Sequence, residues 1–252
     1  SRMTNNPATT EVAHAPQLLP LLIGVTGHID LRNEDIEPLE RSVRALLNQF
    51  RAQFPETPFL VISSLAEGAD RLVARVAVDG FGAKLHVPLP MPRNLYETDF
   101  KKDDGEFDRL IDAATVTTLP LAEGCTLENI GAEGPHRDKQ YAQAGAYVVR
   151  HSRVLVALWN GKQKETGCGT DVVVRWAIEG LPEAYARPSG PLDILETPLL
   201  YQIVTPREED PDPLGEPFAC NPRSAKGISG AKKEELFHDS IVRMNAFNRD
   251  IK

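Results

Sequence analysis

The sequence predicts an α/β protein with a doubly wound, mostly parallel sheet flanked by helices. Three observations carry this. Short apolar runs alternate with longer amphipathic stretches, which is the spacing of βαβ units. Several runs end in turns of Gly, Ser, Thr and Ala that open into a helix. The run Val154–Trp159 is apolar throughout, as a strand covered on both faces must be.

In chain order, residues 1–17 are polar and rich in Pro, Ala and Thr, and read as a flexible leader; Ser1-Arg2 ahead of Met3 reads as a cloning remnant. Leu21–Val25 is the first strand and runs into Thr26-Gly27-His28. From Glu34 to Phe54 the apolar residues Ile36, Leu39, Val43, Leu46, Leu47 and Phe50 recur at helical spacing. Phe59–Ser63 is the second strand, followed by Glu67-Gly68-Ala69-Asp70 and a helix with Leu72, Val73, Val76 and Ala77 on one face, stopped at Gly80. Lys84–Leu89 is the third strand, closed by prolines 88, 90 and 92. Residues 93–136 are less regular, with a strand-like run Thr115–Leu119. Lys139–Arg150 reads as a helix, Asn160-Gly161 as the turn after the buried strand, and Thr166–Thr170 as a Gly-rich loop opening a helix over Asp171–Glu179. Leu199–Val204 reads as the last strand. The domain is therefore placed at 18–206, and 207–252 reads as a linker or tail with one amphipathic helix near Lys233–Phe247.

A chain of 252 residues can bury a core without disulfides or metals. Its 28 Lys+Arg against 36 Asp+Glu give a net charge of −8, which argues against a sequence-independent nucleic-acid binder. Cys125, Cys168 and Cys220 are odd in number and lack CxxC spacing, so neither a disulfide framework nor a zinc site is expected. No metal and no cofactor are expected, and a reducing cytoplasm is the simplest home. No run approaches the ~18–20 apolar residues that span a bilayer.

Ligands of open parallel sheets bind beyond the carboxyl ends of the strands. There the chain places Thr26-Gly27-His28, then Ser64, Ala66, Glu67, Gly68 and Asp70, and finally Trp159-Asn160-Gly161 with Gly167, Gly169, Thr170 and Asp171. Two small-residue turns opening helices would present backbone N–H groups and positive dipole ends to an anion. The same turns also suit plain tight packing, Asp70 suits the helix dipole, and Trp159 suits core filling as well as base stacking. Cys168 sits at a helix start with no His or metal partner in the sequence nearby, so it is not assigned a catalytic role.

These segments resemble the SLOG superfamily, the Rossmann-like group that joins DNA-processing-A proteins with LOG nucleotide phosphoribohydrolases. Ile23–His28 is similar to its first strand and turn, Ser64–Leu72 to its turn into the second helix, and Val154–Gly161 with Gly167–Thr170 to its phosphate loop. The resemblance spans residues 20–205. LOG enzymes carry a Glu three residues after the loop Thr, where this chain has Val173, and a Gly pair where it has Thr166-Gly167. Both departures count against that hydrolase. The resemblance to the sensor branch implies a nucleotide-derived ligand, cyclic or ADP-ribose-like, in a bacterial antiphage or stress system. It further implies a homo-oligomer and a downstream effector or membrane domain following the amphipathic segment Ile241–Lys252. Under this reading Thr26, Gly27 and His28 line one edge, Ala66–Asp70 and Gly167–Thr170 hold phosphates, and Trp159 or Tyr141 stacks on the base. Arg137 is the expected cation, ahead of Arg71 and Arg153. The rival is a nucleoside-monophosphate N-glycosidase with Glu67 or Asp171 replacing the missing carboxylate.

Overall fold

The computed structural model describes residues 17–101, 104–164, 167–186, 197–224 and 230–252. The leader up to residue 16, and Thr166 of the glycine-rich loop, lie outside the described residues. In chain order the elements are β1 (Leu21–Gly27), α1 (Ile36–Gln53), β2 (Phe59–Ile62), α2 (Ala69–Phe81), β3 (Lys84–Leu89), α3 (Arg93–Tyr96), α4 (Glu106–Asp112), β4 (Thr115–Thr118), α5 (Pro135–His151), β5 (Val154–Trp159), α6 (Thr170–Glu179), β6 (Leu199–Val204), β7 (Cys220–Arg223) and α7 (Gly230–Ile251). The strands form one sheet in the order β4-β3-β2-β1-β5-β6-β7, and only β6–β7 is antiparallel. This is the α/β, Rossmann-like, doubly wound sheet the sequence predicts.

The order reverses between β1 and β5. From β1 the chain winds outward through β2, β3 and β4, then returns to lay β5 on the other side of β1, pairing Thr26 with Ala157 and Gly27 with Leu158. A crevice opens where helices depart from such neighbouring strands in opposite directions.

Alternation along the strands sorts the core into two layers. Ile23, Val25, Val61, Val156 and Leu158 join Leu39, Val43 and Phe50 of α1 and Leu72 and Val76 of α2. Leu155, Ala157 and Trp159 join Ala146 and Val149 of α5 and Val174 and Trp176 of α6 on the other face. β5, between β1 and β6, is buried at all six positions.

The structure corrects two sequence expectations. Residues 93–136 hold the helices α3 and α4 as well as β4, and they are too short to show a helical period in sequence. The segment after 207 is part of the domain rather than a tail. β7 extends the sheet, with Pro222 tolerated on its outer edge. Phe237 of α7 packs edge-on against Phe50 and Phe54, and Ile241 joins the core. Asn248, fully buried, exchanges hydrogen bonds with Leu19 N–H and C=O at 2.7 and 2.8 Å, while Asn245 accepts from Glu56 N–H. Asparagines on a helix read as a solvated face. Here they satisfy backbone groups that α7 itself takes out of water. Among the described residues, no helix is long and apolar enough to cross a membrane.

Candidate functional site

A cleft of about 510 Å³ lies over the carboxyl ends of β1 and β5, at the reversal of strand order. Its size is that of a small-molecule site. The floor is Val25 with Ala144, Gly145 and Val148 of α5; the start of α2 walls one side and the start of α6 the other. The Ser64–Asp70 turn and the Gly169–Asp171 helix start thus converge on one crevice.

Of the residues picked out from sequence, Thr26, Gly27, His28, Ser64, Ala66, Asp70, Tyr141, Trp159, Asn160, Gly169, Thr170 and Asp171 stand on this wall. Glu67, Gly68, Arg137, Gly161 and Gly167 do not. Glu67, off this wall, accepts from Lys101 N–H at 2.9 Å. Gly68 (φ 77°) is needed for packing, because a Cβ there would stand 2.6 Å from the carbonyl oxygens of His28 and Ile29. Gly27 does line the cleft, but its side toward α2 is closed: a Cβ would lie 2.4 Å from that of Ala69.

Arg137 is the clearest departure. It is only 3% exposed, and its guanidinium binds the Asp99 carboxylate and the carbonyls of Ile130 and Leu95. It ties α5 to the segment around α3 and to the β4–α5 connection instead of reaching the cleft. Among the described residues, the cations on the cleft wall are Lys162, Lys164 and Arg207. Sequence reasoning passed over all three. Lys162 and Lys164 sit in a loop that reads as solvated, and Arg207 arrives from a segment assigned to the tail.

Two aromatic candidates are largely committed elsewhere. Trp159 is 5% exposed and donates its indole N–H to the Lys162 carbonyl at 3.1 Å, so only an edge is left for a ligand. The Tyr141 hydroxyl donates to Asp99, and burial beside that carboxylate raises its pKa.

His28 bridges the switch point. Its backbone N–H donates to Leu158 C=O at 3.1 Å, and its Nε2 accepts from Asn160 N–H at 2.9 Å. Burial, then the Arg207 charge, lowers its pKa to about 4, so it is neutral at pH 7 with its proton on Nδ1. Asp70 and Asp171, both buried, occupy the first turns of their helices. Asp171 accepts from Lys164 N–H at 3.1 Å. Burial raises the Asp70 carboxyl to about 7, opposed by the Ser63 hydroxyl and Ala66 N–H. Cys168, also on the wall, has its thiol pushed up to about 11 by burial and then by Asp138, which suits a neutral wall residue rather than a nucleophile.

The roof comes from residues 205–214, which leave β6 and cross both strand ends. Thr205 N–H donates to Trp159 C=O at 3.1 Å, and Leu214 N–H donates to Asn160 C=O at 2.7 Å. Arg207 grips Asp30 through Nε at 3.0 and 2.9 Å, and Glu208 N–H donates to Asp30 C=O. Lys162 Nζ lies 2.8 Å from each Asp210 carboxylate oxygen and holds that carboxyl below its usual range.

No protein-family model matches the chain, and no curated protein sequence matches it. Among solved structures it is similar to the X-ray structure of DNA processing protein A (DprA) from Streptococcus pneumoniae, at 14% identity and a TM-score of 0.38. The match covers 70% of this chain and 53% of that one, so the chain spans about half that structure's length. The assignment of the fold stands on the chain's own strand order and parallel pairing.

Proposed function

We propose that the chain binds a nucleotide or nucleotide-derived ligand, cyclic or ADP-ribose-like, in the cleft between β1 and β5. One observation carries the reading: a 510 Å³ crevice at the reversal of strand order brings together two helix N-termini, α2 and α6, with three cationic side chains. The cleft is not uniformly positive, since Asp70, Asp171, Glu209 and Asp210 share its wall with those cations. That mixture favours a ligand with few phosphates and a donor-bearing sugar or base over a polyanion.

Sensing in a bacterial antiphage or stress system, as a homo-oligomer with a downstream effector, is the role we propose by resemblance to SLOG sensor domains. Binding without hydrolysis is favoured because Val173 lines the cleft where the LOG enzymes carry their Glu. The rival N-glycosidase is left with Asp171, and with the raised Asp70 on the other wall, as its carboxylates. Calorimetry with AMP, ADP, ADP-ribose and a cyclic dinucleotide, run beside an assay for released base, decides between them. Saturable binding with no base released is the expected result. Base release abolished by Asp171→Asn would install the enzyme instead.

A further inference from the structure

Building on the nucleotide reading of this cleft, we infer that Lys162 and Asn160 form its anion subsite, and that the chain's own Asp210 carboxylate fills that subsite until a ligand phosphate displaces it. Lys162 Nζ sits 2.8 Å from both oxygens of Asp210, and Asn160 Nδ2 donates to one of them at 3.3 Å. All three residues stand on the cleft wall. An ammonium and an amide N–H₂ converging on two oxygens are a donor set that a phosphate accepts equally well.

The amide donor is oriented independently of Asp210. Asn160 Oδ1 accepts from Lys162 N–H at 3.1 Å, which sets the side-chain amide with Nδ2 toward the anion. Asn160 N–H is held by His28 Nε2. The acceptor is exchangeable at its carboxylate only, because the Asp210 backbone trades two N–H···O=C bonds of 3.2 Å with Arg207. Asp210 belongs to the roof, which has a second ion pair of opposite character. Arg207 and Asp30 have side chains 11% and 17% exposed and are joined through both carboxylate oxygens, whereas Lys162 and Asp210 are each 36% exposed. An exposed lysine pair is weak and exchanges partners readily, while a desolvated arginine pair resists it. Beside the backbone bonds of Thr205 and Leu214, the roof therefore has one lasting side-chain anchor at Asp30 and one side-chain contact at Lys162 that a competing anion can take. A ligand phosphate would replace the Asp210 carboxylate, which also accepts from Asp212 N–H, and so free the roof at 210–212 while Arg207 and Asp30 hold the rest.

Calorimetry with AMP, ADP and ADP-ribose on the wild-type chain, Asp210→Asn and Lys162→Gln tests this, with hydrogen exchange followed over 208–212. Asp210→Asn, which removes the internal competitor, is expected to bind about three- to fivefold tighter than wild type. Lys162→Gln is expected to bind about tenfold more weakly, and nucleotide should speed exchange over 208–212 in wild type. If wild type binds but Asp210→Asn binds no tighter, and exchange over 208–212 is unchanged or slowed, the displacement is wrong and the nucleotide reading survives. If neither wild type nor Asp210→Asn binds any of the three, the nucleotide reading falls and takes this inference with it.

Discussion

The two sides of the cleft are built on opposite principles. The β2–α2 turn is short, half-buried and sterically closed. Gly68 has no room for a Cβ, Leu65 is held at φ 56° with no exposure, and Arg71 Nε donates to the Leu65 carbonyl at 3.0 Å. The β5–α6 loop is open: a Cβ on Gly167 would meet nothing within 4 Å, and one on Gly169 only the Asp171 carboxylate at 3.0 Å. Small residues in a strand-to-helix turn therefore carry two meanings in one protein. On the first side they let backbone pack on backbone; on the second they leave space. The cleft meets both turns, at Ser64 and Ala66 on the first side and at Gly169 on the second, while Gly68 and Gly167 both stand off its wall.

The sharpest break of this comparison is a pair of alanines. Gly68→Ala sets a Cβ against two carbonyl oxygens at a positive φ, and should cost roughly 3 kcal/mol or more of stability. Gly167→Ala meets only the strain of φ 108°, about 1–2 kcal/mol. Urea unfolding of both variants checks the ordering, and equal losses would erase the distinction between the turns.

Next in size is Arg137→Ala. It leaves Asp99 and the Ile130 carbonyl without their buried partner and should lose about 2–3 kcal/mol. Nucleotide affinity should stay within about twofold of wild type, because the side chain does not reach the cleft. A binding defect in a fully folded Arg137→Ala protein would return this arginine to the ligand.

Gly169→Glu should show the converse. Its Cβ has a movable side chain for a neighbour, so stability should change by about 1 kcal/mol or less. The added carboxylate at the start of α6 should weaken nucleotide binding by at least about tenfold. Calorimetry on the folded variant reads this directly, and unchanged affinity would take the ligand away from that helix start.

The contrast also explains what the sequence could and could not reveal. β5 and the α1 face declare themselves, because six consecutive apolar residues and a regular 3–4 spacing have few other uses. The convergence of both turns follows from strand ends alone. Gly68 and Gly167 look alike in sequence, and only the neighbour across the turn, His28 for one and open space for the other, separates them. Arg137 misled because a polar loop between Pro135 and Asp138 gives no hint that Asp99, 38 positions away, closes over its guanidinium. The α7 helix shows in its amphipathic period, but its docking and the roof do not: Arg207 and Asn248 are buried by pairing, which no apolar pattern announces.

The finest test lies in the pH dependence of stability, where the closed side holds two buried groups shifted in opposite ways. The His28 imidazole is lowered from 6.5 to about 4 by burial, so the unfolded chain takes up its proton first. Its contribution is complete above pH 6.5 and lost as pH falls toward 4. Burial raises the Asp70 carboxyl from 3.8 to about 7, so the folded chain holds that proton longer. Its contribution is complete below pH 3.8 and lost as pH rises through 7. Between pH 4 and 6.5 the two slopes oppose, each at most about 1.4 kcal/mol per pH unit, so wild type conceals both. Asp70→Asn keeps an acceptor for Ala66 N–H and should make stability climb more steeply with pH than in wild type. His28→Gln keeps one for Asn160 N–H and should make it climb less, or fall. Chemical denaturation at half-unit steps resolves the divergence. Two variant curves parallel to wild type would mean that neither group's proton is felt by the fold, and that the closed side is held by packing alone.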